Sequence, residues 1–579
     1  MKKTIPLLLA IVLILSLLTG CGGTYTDSGN TNEPKSGESP VPDAAPLRRA
    51  NSKQGYGSVT IVYTEPNTLN PLTSQSNLDL DVLYLASAML YRPYADKVIP
   101  DLAQSCDASE DGRTYTYQLR AASYVDGTPI TAADFVYYIL NSNWSRTSNI
   151  LDCLVNGKAF MAGECDASEV GVRAEDDHTL VVELAEDAAG FVPEMEIYPV
   201  NQAYAESKGD AFGGTAADFL CSGPYVLTDW TFGASLSFEK NPDYWDAENS
   251  FQIAQVKVLH GVDSNAQYNM FTAGEADILQ SIGDEVQTLI PDQCVYRKSG
   301  AIQGLEFNTT GFFFDGTTFA PKDPAVSALL ANRNFRLALT YALNREAIVM
   351  AADPVSVGTN RYFGFARTSD GASFADTFAV TVAPVTGDEM LAQEYLAKAL
   401  EELGYNDVSD LPTVKYLTFE NAKYRLMAET LQSEWKRVLG ITNIEIELKP
   451  IQDAIMSMVY MDYDIYYQAT SVEPAKTLMI MKYWITGGGM SDLMGAGAPI
   501  SSIYANPEFD NLIAQASTEF DGAKRDALVA QAEEMFLNSY VFVPILEQGT
   551  YAAISNRVSG YVTSDAVSGL MLNYATVND

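Results

Sequence analysis

The chain has 579 residues, 47% of them hydrophobic, and a formal net charge of −38 at pH 7. Because nucleic-acid binding depends on lysines and arginines that neutralise phosphates, this charge argues strongly against a nucleic-acid partner. The hydrophobic content suits a large globular body, and a chain of this length is expected to divide into two or three domains.

The amino terminus has the layout of an export signal. It reads MKKTIPLLLAIVLILSLLTGCGG, in which two lysines precede a short apolar run and then small residues. This order predicts a secretory signal peptide, and the apolar run is too short to span a bilayer comfortably. The segment Leu18-Thr19-Gly20-Cys21 resembles the lipobox of bacterial lipoproteins. That resemblance implies cleavage after residue 20 and a lipid on Cys21, which would anchor the protein to the cell membrane on its extracellular or periplasmic side.

The stretch that follows predicts a tether. Residues 21–55 are rich in Gly, Ser, Asn and Pro and contain almost no large apolar side chains. Such a composition cannot bury enough surface to fold, so we expect a flexible chain here. An ordinary secretory signal with an incidental cysteine is the alternative to the lipid anchor.

The elements expected in the first half are strands with short helices between them. Val59–Tyr63 is a β-branched strand, and LDLDVLYLASAMLYRPY has helical spacing. RTYTYQLR and HTLVVELAE alternate as half-buried strands, and the helix between them is expected to have Thr131 as its N-cap and Asp134 at N3. Asp79 and Asp81 are spaced like carboxylate ligands, but the glycine and distal glutamate of a calcium loop are missing.

The second half combines amphipathic helices with strands. FRLALTYALNREAIV predicts one helix, and EMLAQEYLAKALEELG and AKYRLMAETLQSEWKRVLG predict two more that end at Gly404 and Gly440. The strands TVKYLTF and NIEIELKPI follow the last two helices. This alternation predicts an α/β architecture with mixed sheets.

A tyrosine-rich stretch, VYMDYDIYYQATSVEP at residues 459–474, ends in a polar turn. Aromatic stripes usually belong to hydrophobic cores. Alternation along a strand would place Tyr463 and Ile465 on one face and Tyr466 on the other. One face can therefore serve a core while the other, with Gln468 and Thr470, lines a binding site.

Histidines and cysteines form no recognisable catalytic or metal-binding pattern. The two histidines, His178 and His260, lie beside strand-like sequence, and the motifs HExxH, GxSxG and GxxxxGK[ST] are absent. If Cys21 is lipidated, five cysteines remain without a CxxC pair, and a Cys153–Cys165 disulfide is one possible pairing. We therefore expect no enzyme activity, no cofactor and no protein-bound metal.

Several segments in the same order resemble the peptide/nickel family, family 5, of solute-binding proteins that serve ABC importers. The likeness is greatest to its oligopeptide- and dipeptide-binding members and runs from about Gly57 to Asn573. It rests on PDLAQSCDASEDGRTYTYQLRAASYVDGTPITAADF, VGVRAEDDHTLVVEL, SGPYVLTDWTFGASLSFEKNPDYWD, NFRLALTYALNREAI, LAKALEELGY and YANPEFDNLIAQASTEFDGAKRDALVAQAEEMFLNSYVFVPIL. The resemblance implies an α/β, two-lobe periplasmic-binding-protein-like fold with an additional inserted subdomain and mixed β-sheets.

The resemblance also implies how the chain divides. Residues 1–20 would be the lipoprotein signal peptide and residues 21–55 the lipid-anchored tether. Lobe I would comprise residues 56–95, 221–305 and 543–579, with residues 96–220 as its inserted subdomain, and lobe II residues 306–542. The chain would cross between the lobes near residues 305 and 542, and hinge motion would close the lobes around a ligand.

The implied function is that of an extracytoplasmic receptor. As a monomer it would enclose an oligopeptide or similar solute and deliver it to the membrane permease of an ABC importer. The alternatives are a peptide-signal sensor on the same fold, or a receptor for a non-peptide solute such as a glycoside, chelated nickel or haem.

Two segments carry the ligand contacts in this family. The first follows the proline-rich turn after the first strand, where Gln75 and Asn77 are the candidates. In the second, DIYYQATSVEP, the candidates are Tyr466, Tyr467, Gln468, Ala469, Thr470 and Glu473. In peptide-binding relatives the ligand lies extended and bonds main chain to main chain, as an added strand does.

The chain departs from its relatives at the residue that meets the ligand's amine. Relatives place an aspartate there, and a buried charge needs such a partner. Counting back from Glu473-Pro474 places Thr470 at this position, whereas counting forward from Tyr463-Asp464 places Glu473 there. With Thr470, the tyrosines would offer stacking faces and phenol donors to aromatic, glycosidic or blocked-peptide ligands. With Glu473 the anchor is retained, and both alternatives stay open.

Overall fold

The structure is a computed structural model. It describes residues 55–74, 77–94, 97–143, 145, 150–186, 188–189, 191, 196–282, 284–315, 317–471, 476–486, 504–563 and 570–578. The predicted signal peptide, Cys21 and nearly all of the predicted tether lie outside these residues. Within them, no helix combines the length and the apolar character needed to cross a membrane.

The described residues form β-strands along most of the chain. Their bounds are Tyr56–Val62 (β1), Tyr91–Tyr94 (β2), Lys97–Pro100 (β3), Ala103–Ala108 (β4), Thr114–Leu119 (β5), Val172–Asp176 (β6), Thr179–Glu183 (β7), Tyr225–Thr231 (β8), Ser235–Lys240 (β9), Ile253–Leu259 (β10), Ile278–Ile282 (β11), Cys294–Phe307 (β12), Phe312–Phe314 (β13), Phe319–Pro321 (β14), Val357–Gly358 (β15), Val414–Phe419 (β16), Ile444–Lys449 (β17), Ile465–Ser471 (β18), Phe542–Ile554 (β19), Val558–Ser559 (β20) and Thr576–Val577 (β21).

Helices occupy much of the remainder. Their bounds are Asn77–Ala86 (α1), Ala132–Asn141 (α2), Gly157–Ala162 (α3), Gln202–Lys208 (α4), Ser264–Ala273 (α5), Asp284–Leu289 (α6), Pro324–Ala331 (α7), Arg333–Tyr341 (α8), Arg345–Ala352 (α9), Phe374–Thr377 (α10), Glu389–Leu403 (α11), Ala422–Leu439 (α12), Ile451–Val459 (α13), Thr477–Met481 (α14), Pro507–Thr518 (α15) and Gly522–Leu537 (α16).

One large sheet runs through the molecule. It has eleven strands, in the order β17-β16-β18-β12-β19-β11-β1-β10-β9-β8, with β15 paired to β19. Strand β1 is parallel to β10 and β11, whereas β12 is antiparallel to β18 and β19. The prediction of mixed sheets is therefore confirmed. A separate antiparallel sheet, β4-β5-β7-β6, lies within residues 96–220.

Local sequence accounts for several helix ends. The Asp134 carboxylate accepts a hydrogen bond from the backbone N–H of Thr131 at 2.8 Å, so α2 begins with the capping pair expected from the sequence. Helices α11 and α12 stop at Gly404 and Gly440, as predicted.

One predicted helix is wrong, because FRLALTYALNREAIV forms two helices. Helix α8 ends at Tyr341, and α9 begins after Asn344. The Asn344 side chain accepts a hydrogen bond from the backbone N–H of Ala347 at 3.1 Å. An asparagine that bonds the backbone in this way favours a new helix start over continuation of the old helix.

The helix predicted over LDLDVLYLASAMLYRPY, which is α1, is also shorter than the spacing of its apolar residues suggests. It ends at Ala86, and the next residues lead into β2. The guanidinium group of Arg92 donates hydrogen bonds to the carbonyls of Tyr84 and Ser87, at 2.5 and 2.7 Å. These bonds satisfy carbonyls at the end of α1 that a longer helix would have paired internally.

Buried apolar side chains form two large cores. The first core contains residues between Val59 and Ile278, residues between Val558 and Ala575, and Met479. The second core contains residues between Ile302 and Leu546. Residues assigned by prediction to lobe I and to the inserted subdomain share the first core, because the small sheet packs against the same apolar side chains as the large one.

A buried ion pair stabilises the second core. The Glu533 side chain is 0% exposed, and its carboxylate lies 2.6 Å from the guanidinium of Arg361. The same carboxylate accepts hydrogen bonds from the backbone N–H groups of Tyr362 and Phe363, at 3.0 and 2.9 Å. Removal of this carboxylate would leave the Arg361 cation without its counter-charge and two backbone N–H groups without this acceptor.

We expect Glu533→Ala to lower the free energy of unfolding by about 3–5 kcal/mol, because it removes one partner of a buried pair. Chemical denaturation measures this loss. The matched control is Glu394→Ala, which breaks a pair with Lys398 in which both side chains are about half exposed. Its cost should stay below about 1 kcal/mol. Equal losses in the two variants would contradict the importance of the Arg361–Glu533 pair.

Candidate ligand-binding site

Two long strands, β12 and β19, connect the two cores. Residues 294–298 of β12 pair with residues 549–553 of β19, and residues 302–306 pair with residues 542–547. Between Lys298 and Ile302 the register shifts, and Gly300 there has a φ of +73°, which a residue with a Cβ adopts only at a cost. A bulge interrupts the ladder and lets the strands bend locally. It lies a few residues from the crossings predicted near 305 and 542.

Polar side chains bridge the two strands at this bulge. The Lys298 ammonium lies 3.2 Å from a carboxylate oxygen of Glu547, and the Gln303 amide donates to the side-chain oxygen of Gln548 at 3.0 Å. Because each pair joins β12 to β19, these contacts limit how far the strands can shift against each other.

The two cores also touch away from the bulge. Met479 of α14 is buried in the first core, and Phe520, in the turn between α15 and α16, packs against that core close to Gly112. The backbone N–H of Ala189 donates to the carbonyl of Ser517 at 3.0 Å. The two cores are therefore in contact through these residues as well as through β12 and β19.

Strand β18 has one open edge. On one side, β12 accompanies it along its whole length, from Ile465 to Ser471. On the other side, β16 pairs with it only at Tyr416–Ile465 and Leu417–Tyr466. Among the described residues, the backbone from Tyr467 to Ser471 therefore has a strand partner on one edge only. Its free N–H and C=O groups can pair with an added extended chain.

The predicted site residues are distributed unevenly with respect to this edge. Gln75 and Glu473 lie outside the described residues, and for Asn77 only the backbone, at the start of α1, is described. Gln468, Ala469 and Thr470 lie on β18 along the open edge, where Gln468 is buried and the other two are half-buried.

The two predicted stacking residues are fully buried. Tyr466 and Tyr467 are 1% and 0% exposed and belong to the second core. In this conformation neither ring offers a face to solvent, and their role toward a ligand stays a prediction. The prediction that Tyr463 lies on the face opposite Tyr466 and Gln468 was wrong. Tyr463 precedes β18, and its phenol donates to a carboxylate to which the Gln468 amide also donates.

That carboxylate belongs to Glu306, a residue that the motif comparison missed. Glu306 lies on β12 opposite Tyr466 and accepts hydrogen bonds from the Tyr463 phenol and the Gln468 amide. Burial raises the pKa of Glu306 to about 7, and the hydrogen bond from Tyr463 opposes that rise. A glutamate inside the apolar strand sequence GLEF was the signal that could have found it.

Thr470 takes part in a second hydrogen-bonded group. Its hydroxyl bonds the phenol of Tyr362, which also accepts a hydrogen bond from the Trp484 indole N–H at 3.0 Å. Burial raises the pKa of Tyr362, so this phenol stays neutral and its partners are neutral groups. Thr470 is therefore positioned by the second core rather than by a charge.

The loop before Gln75 is held by Asp79. The Asp79 carboxylate accepts hydrogen bonds from the backbone N–H of Asn67 at 2.7 Å and from the Ser74 hydroxyl at 3.3 Å. Asp81, two residues later, accepts a hydrogen bond from the phenol of Tyr63. Both carboxylates therefore organise the end of β1 and the turn after it.

Histidines and cysteines have ordinary environments. His260 is buried, and burial lowers its pKa, while His178 is exposed. The Cys165 thiol donates to the carbonyl of Asn156 at 3.7 Å and forms no disulfide, so the possible Cys153–Cys165 bridge is wrong. In the part of the chain that the structure describes, no group of three or more His, Cys, Asp or Glu side chains could hold a metal ion.

Comparison with known proteins identifies the family to which the chain belongs. Residues 97–492 match the family model of bacterial extracellular solute-binding proteins, family 5 Middle. This match covers more than half of the sequence, so the chain belongs to that family of extracellular solute-binding proteins, and the predicted resemblance is confirmed.

Particular relatives extend over nearly the whole chain. The oligopeptide-binding protein OppA of Bacillus subtilis (strain 168) is 26% identical over an alignment of 569 residues that covers 94% of this chain and 94% of that protein. The probable deoxycholate-binding periplasmic protein YgiS of Escherichia coli (strain K12) is 25% identical over 521 residues, covering 86% of this chain and 89% of that protein.

Solved structures share the fold. The structure of Listeria monocytogenes OppA bound to peptide superposes with a TM-score of 0.68 at 20% identity, covering 91% of this chain and all of that one. The predicted two-lobe, mixed α/β periplasmic-binding-protein fold is therefore confirmed.

We expect Phe520→Ala to favour conformations in which the cores are further apart. Loss of a half-buried phenyl contact is worth about 1 kcal/mol, or about a fivefold change in the ratio of closed to open forms. Small-angle X-ray scattering of the ligand-free protein should show a larger radius of gyration. Met390→Ala, which removes a side chain that is 80% exposed, should leave the radius unchanged. An unchanged radius for Phe520→Ala would contradict a role of this contact in closure.

Proposed function

We propose that this chain is the extracytoplasmic receptor of an ABC importer and that it binds an oligopeptide, or a similar solute, between its two lobes. The lobes have the bounds that the family resemblance implies, and residues near the bulge of β12 and β19 act as the hinge. The receptor, closed around its solute, is the form that docks on the membrane permease and delivers the solute.

The open edge of β18 is the observation that carries this proposal. From Tyr467 to Ser471, one edge of the strand pairs with β12, and the other edge has no strand partner among the described residues. The backbone donors and acceptors of this second edge are available to a ligand. An extended peptide can complete this edge with main-chain hydrogen bonds, which are independent of its side chains. Gln468, Ala469 and Thr470 are the described residues that would border such a ligand.

The names of the relatives favour a peptide as the ligand of this chain, but one relative is named for a different kind of ligand. OppA of Bacillus subtilis and the peptide-bound Listeria monocytogenes protein are oligopeptide binders by name, whereas YgiS is named as a probable deoxycholate binder. One fold can serve several ligands, so the ligand of this chain has to be determined directly. Gln75, Asn77 and Glu473 remain proposed ligand residues on the resemblance alone, as do the stacking roles of Tyr466 and Tyr467.

Native mass spectrometry of the full chain, purified without refolding, tests the ligand class. We expect a series of added masses that match short peptides, because a closed cleft retains its cargo during purification. Addition of excess tetrapeptides should displace this series. A single added mass that matches no peptide, and that tetrapeptides fail to displace, would contradict the peptide proposal.

We also propose that the protein is a lipoprotein, a monomer held at the membrane through Cys21. Since two acyl chains suffice for stable anchoring, Cys21→Ser should move the protein from the membrane fraction to the soluble fraction. Labelling with radioactive palmitate should be lost in the same variant. Cys165→Ser is the matched control and should change neither measurement. Retention of label in Cys21→Ser would exclude this site of lipidation.

A further inference from the structure

The inserted subdomain and lobe II, with the bounds proposed above, touch at a small contact. Phe520, in the turn between α15 and α16, lies against Gly112, in the turn between β4 and β5. Three residues before Phe520, the carbonyl of Ser517 accepts a hydrogen bond from the backbone N–H of Ala189 at 3.0 Å. This contact is separate from the β12–β19 ladder, so it is a second connection between the two parts of the molecule.

The subdomain side of the contact is built from its own hydrogen bonds. The Asp111 carboxylate accepts a bond from the backbone N–H of Arg113 at 3.1 Å, which fixes the turn between β4 and β5. Gly112 in this turn has a φ of +69°, which glycine adopts without the cost that a Cβ brings. The carbonyl of Arg113 accepts a bond from the N–H of Leu184 at 2.8 Å, five residues before Ala189. The turn and the segment that carries Ala189 are therefore joined.

The side that belongs to lobe II is fixed in the same way. The Asp526 carboxylate of α16 accepts a hydrogen bond from the backbone N–H of Ser369 at 2.6 Å. Gly522, the first residue of α16, lies so close to Ser369 that a Cβ at this position would clash with its side chain. Ser369 lies five residues before Phe374, which is buried in the second core. These contacts hold the turn that carries Phe520 in place.

Neither side of the contact contains a proposed ligand residue, since those residues lie on β18 and at the start of α1 or next to them. Both sides are ordered by bonds within their own part of the chain, so no ligand is needed to form them, and their meeting costs little conformational entropy. The contact can therefore form equally well in the free and in the loaded protein. A contact that is equally strong in both states adds no affinity, but it has to break whenever the cleft opens.

We propose that the inserted subdomain is a latch, in which Gly112 and Ala189 engage Phe520 and Ser517 and hold the lobes closed with or without a solute. The latch sets how often the cleft opens, and with it the rates at which a solute enters and leaves. The equilibrium affinity is left to the contacts at β18. This inference goes beyond the proposed receptor function, because closure of the solute-free protein can be measured without knowing the ligand.

A disulfide across the contact tests the latch. A Cβ on Gly112 would lie 3.5 Å from the Cβ of Phe520, and disulfides need Cβ atoms about 3.5–4.5 Å apart. Gly112→Cys/Phe520→Cys should therefore form this bond in a glutathione redox buffer, as identified by peptide mapping. The two single variants control for bonds to native cysteines and should form none. Gly112→Ala/Phe520→Ala makes the same backbone demand without thiols, and its circular dichroism shows whether the fold tolerates it.

The oxidised double variant is fixed in the closed form and is the reference for small-angle X-ray scattering. We expect the wild-type full chain, shown by native mass spectrometry to be free of solute, to have the same radius of gyration as this reference. Reduction of the double variant should increase its radius, because Phe520→Cys removes the ring that packs against Gly112 in the wild type.

Binding rates distinguish a latch from a ligand contact. The probe is the tetrapeptide that displaces co-purified cargo most effectively, followed by stopped-flow measurement of intrinsic fluorescence. Because Phe520→Ala weakens closure in the free and the loaded protein alike, we expect the association and dissociation rates both to rise about fivefold and Kd to stay within about twofold of the wild type. Met390→Ala, at a side chain that is 80% exposed, is the control and should change neither rate.

A solute-free wild type with a larger radius than the oxidised reference would overturn the latch, as would a folded double variant that forms no disulfide between its new cysteines. A change of Kd in Phe520→Ala that comes from the dissociation rate alone would also contradict it, because the contact would then act only in the loaded protein. Each of these results leaves the receptor function in place. Failure of the wild type to bind any tetrapeptide would instead contradict the proposed peptide ligand, while the scattering comparison would still decide the latch.

Discussion

The pairing of β12 with β19 is the contact on which the remaining architecture depends. These strands lie in the middle of the large sheet, and each contributes residues to both sides of the molecule. Since the sheet is continuous through them, the two cores cannot separate without breaking the ladder. The ladder is irregular at two places, between Lys298 and Ile302 and between Gln303 and Gly304, and such irregularities let paired strands bend locally.

The same continuity creates the open edge. Strand β18 is fixed by its pairing with β12, while β16 pairs with it at only two residues. Among the described residues, five residues of β18 therefore have no strand partner on their second edge. The core beneath this edge is tightly filled with aromatic rings, among them Tyr466 and Tyr467. A ligand there would therefore be recognised through backbone groups and a few polar side chains.

Several buried carboxylates of this acidic protein lie beside a lysine or arginine. Carboxylates such as Glu533 and Asp464 are paired with cations inside the fold, which offsets the cost of burying them. Glu306 instead has the phenol of Tyr463 and the amide of Gln468 as its described partners. The family relationship explains the two-lobe architecture, yet it leaves the ligand undetermined, since relatives of similar identity are named for oligopeptides and for deoxycholate.

Features set by neighbouring residues could be predicted from the sequence. The capping pair Thr131–Asp134, the glycine at the end of α11 and the mixed strand–helix order follow from side chains within one turn or one strand of each other. The helix predicted across Asn344 failed although the signal was local, because a capping side chain outweighed the hydrophobic spacing there.

What only the tertiary structure decided is the set of partners that lie far apart in the chain. Gln468 and Glu306 are 162 residues apart, and no local pattern connects them. By itself the sequence determined the family and most of the order of strands and helices. Folding decided how deeply β18 is buried, which of its edges lacks a strand partner among the described residues and which groups Glu306 contacts, because sheet register and burial depend on contacts across the whole chain.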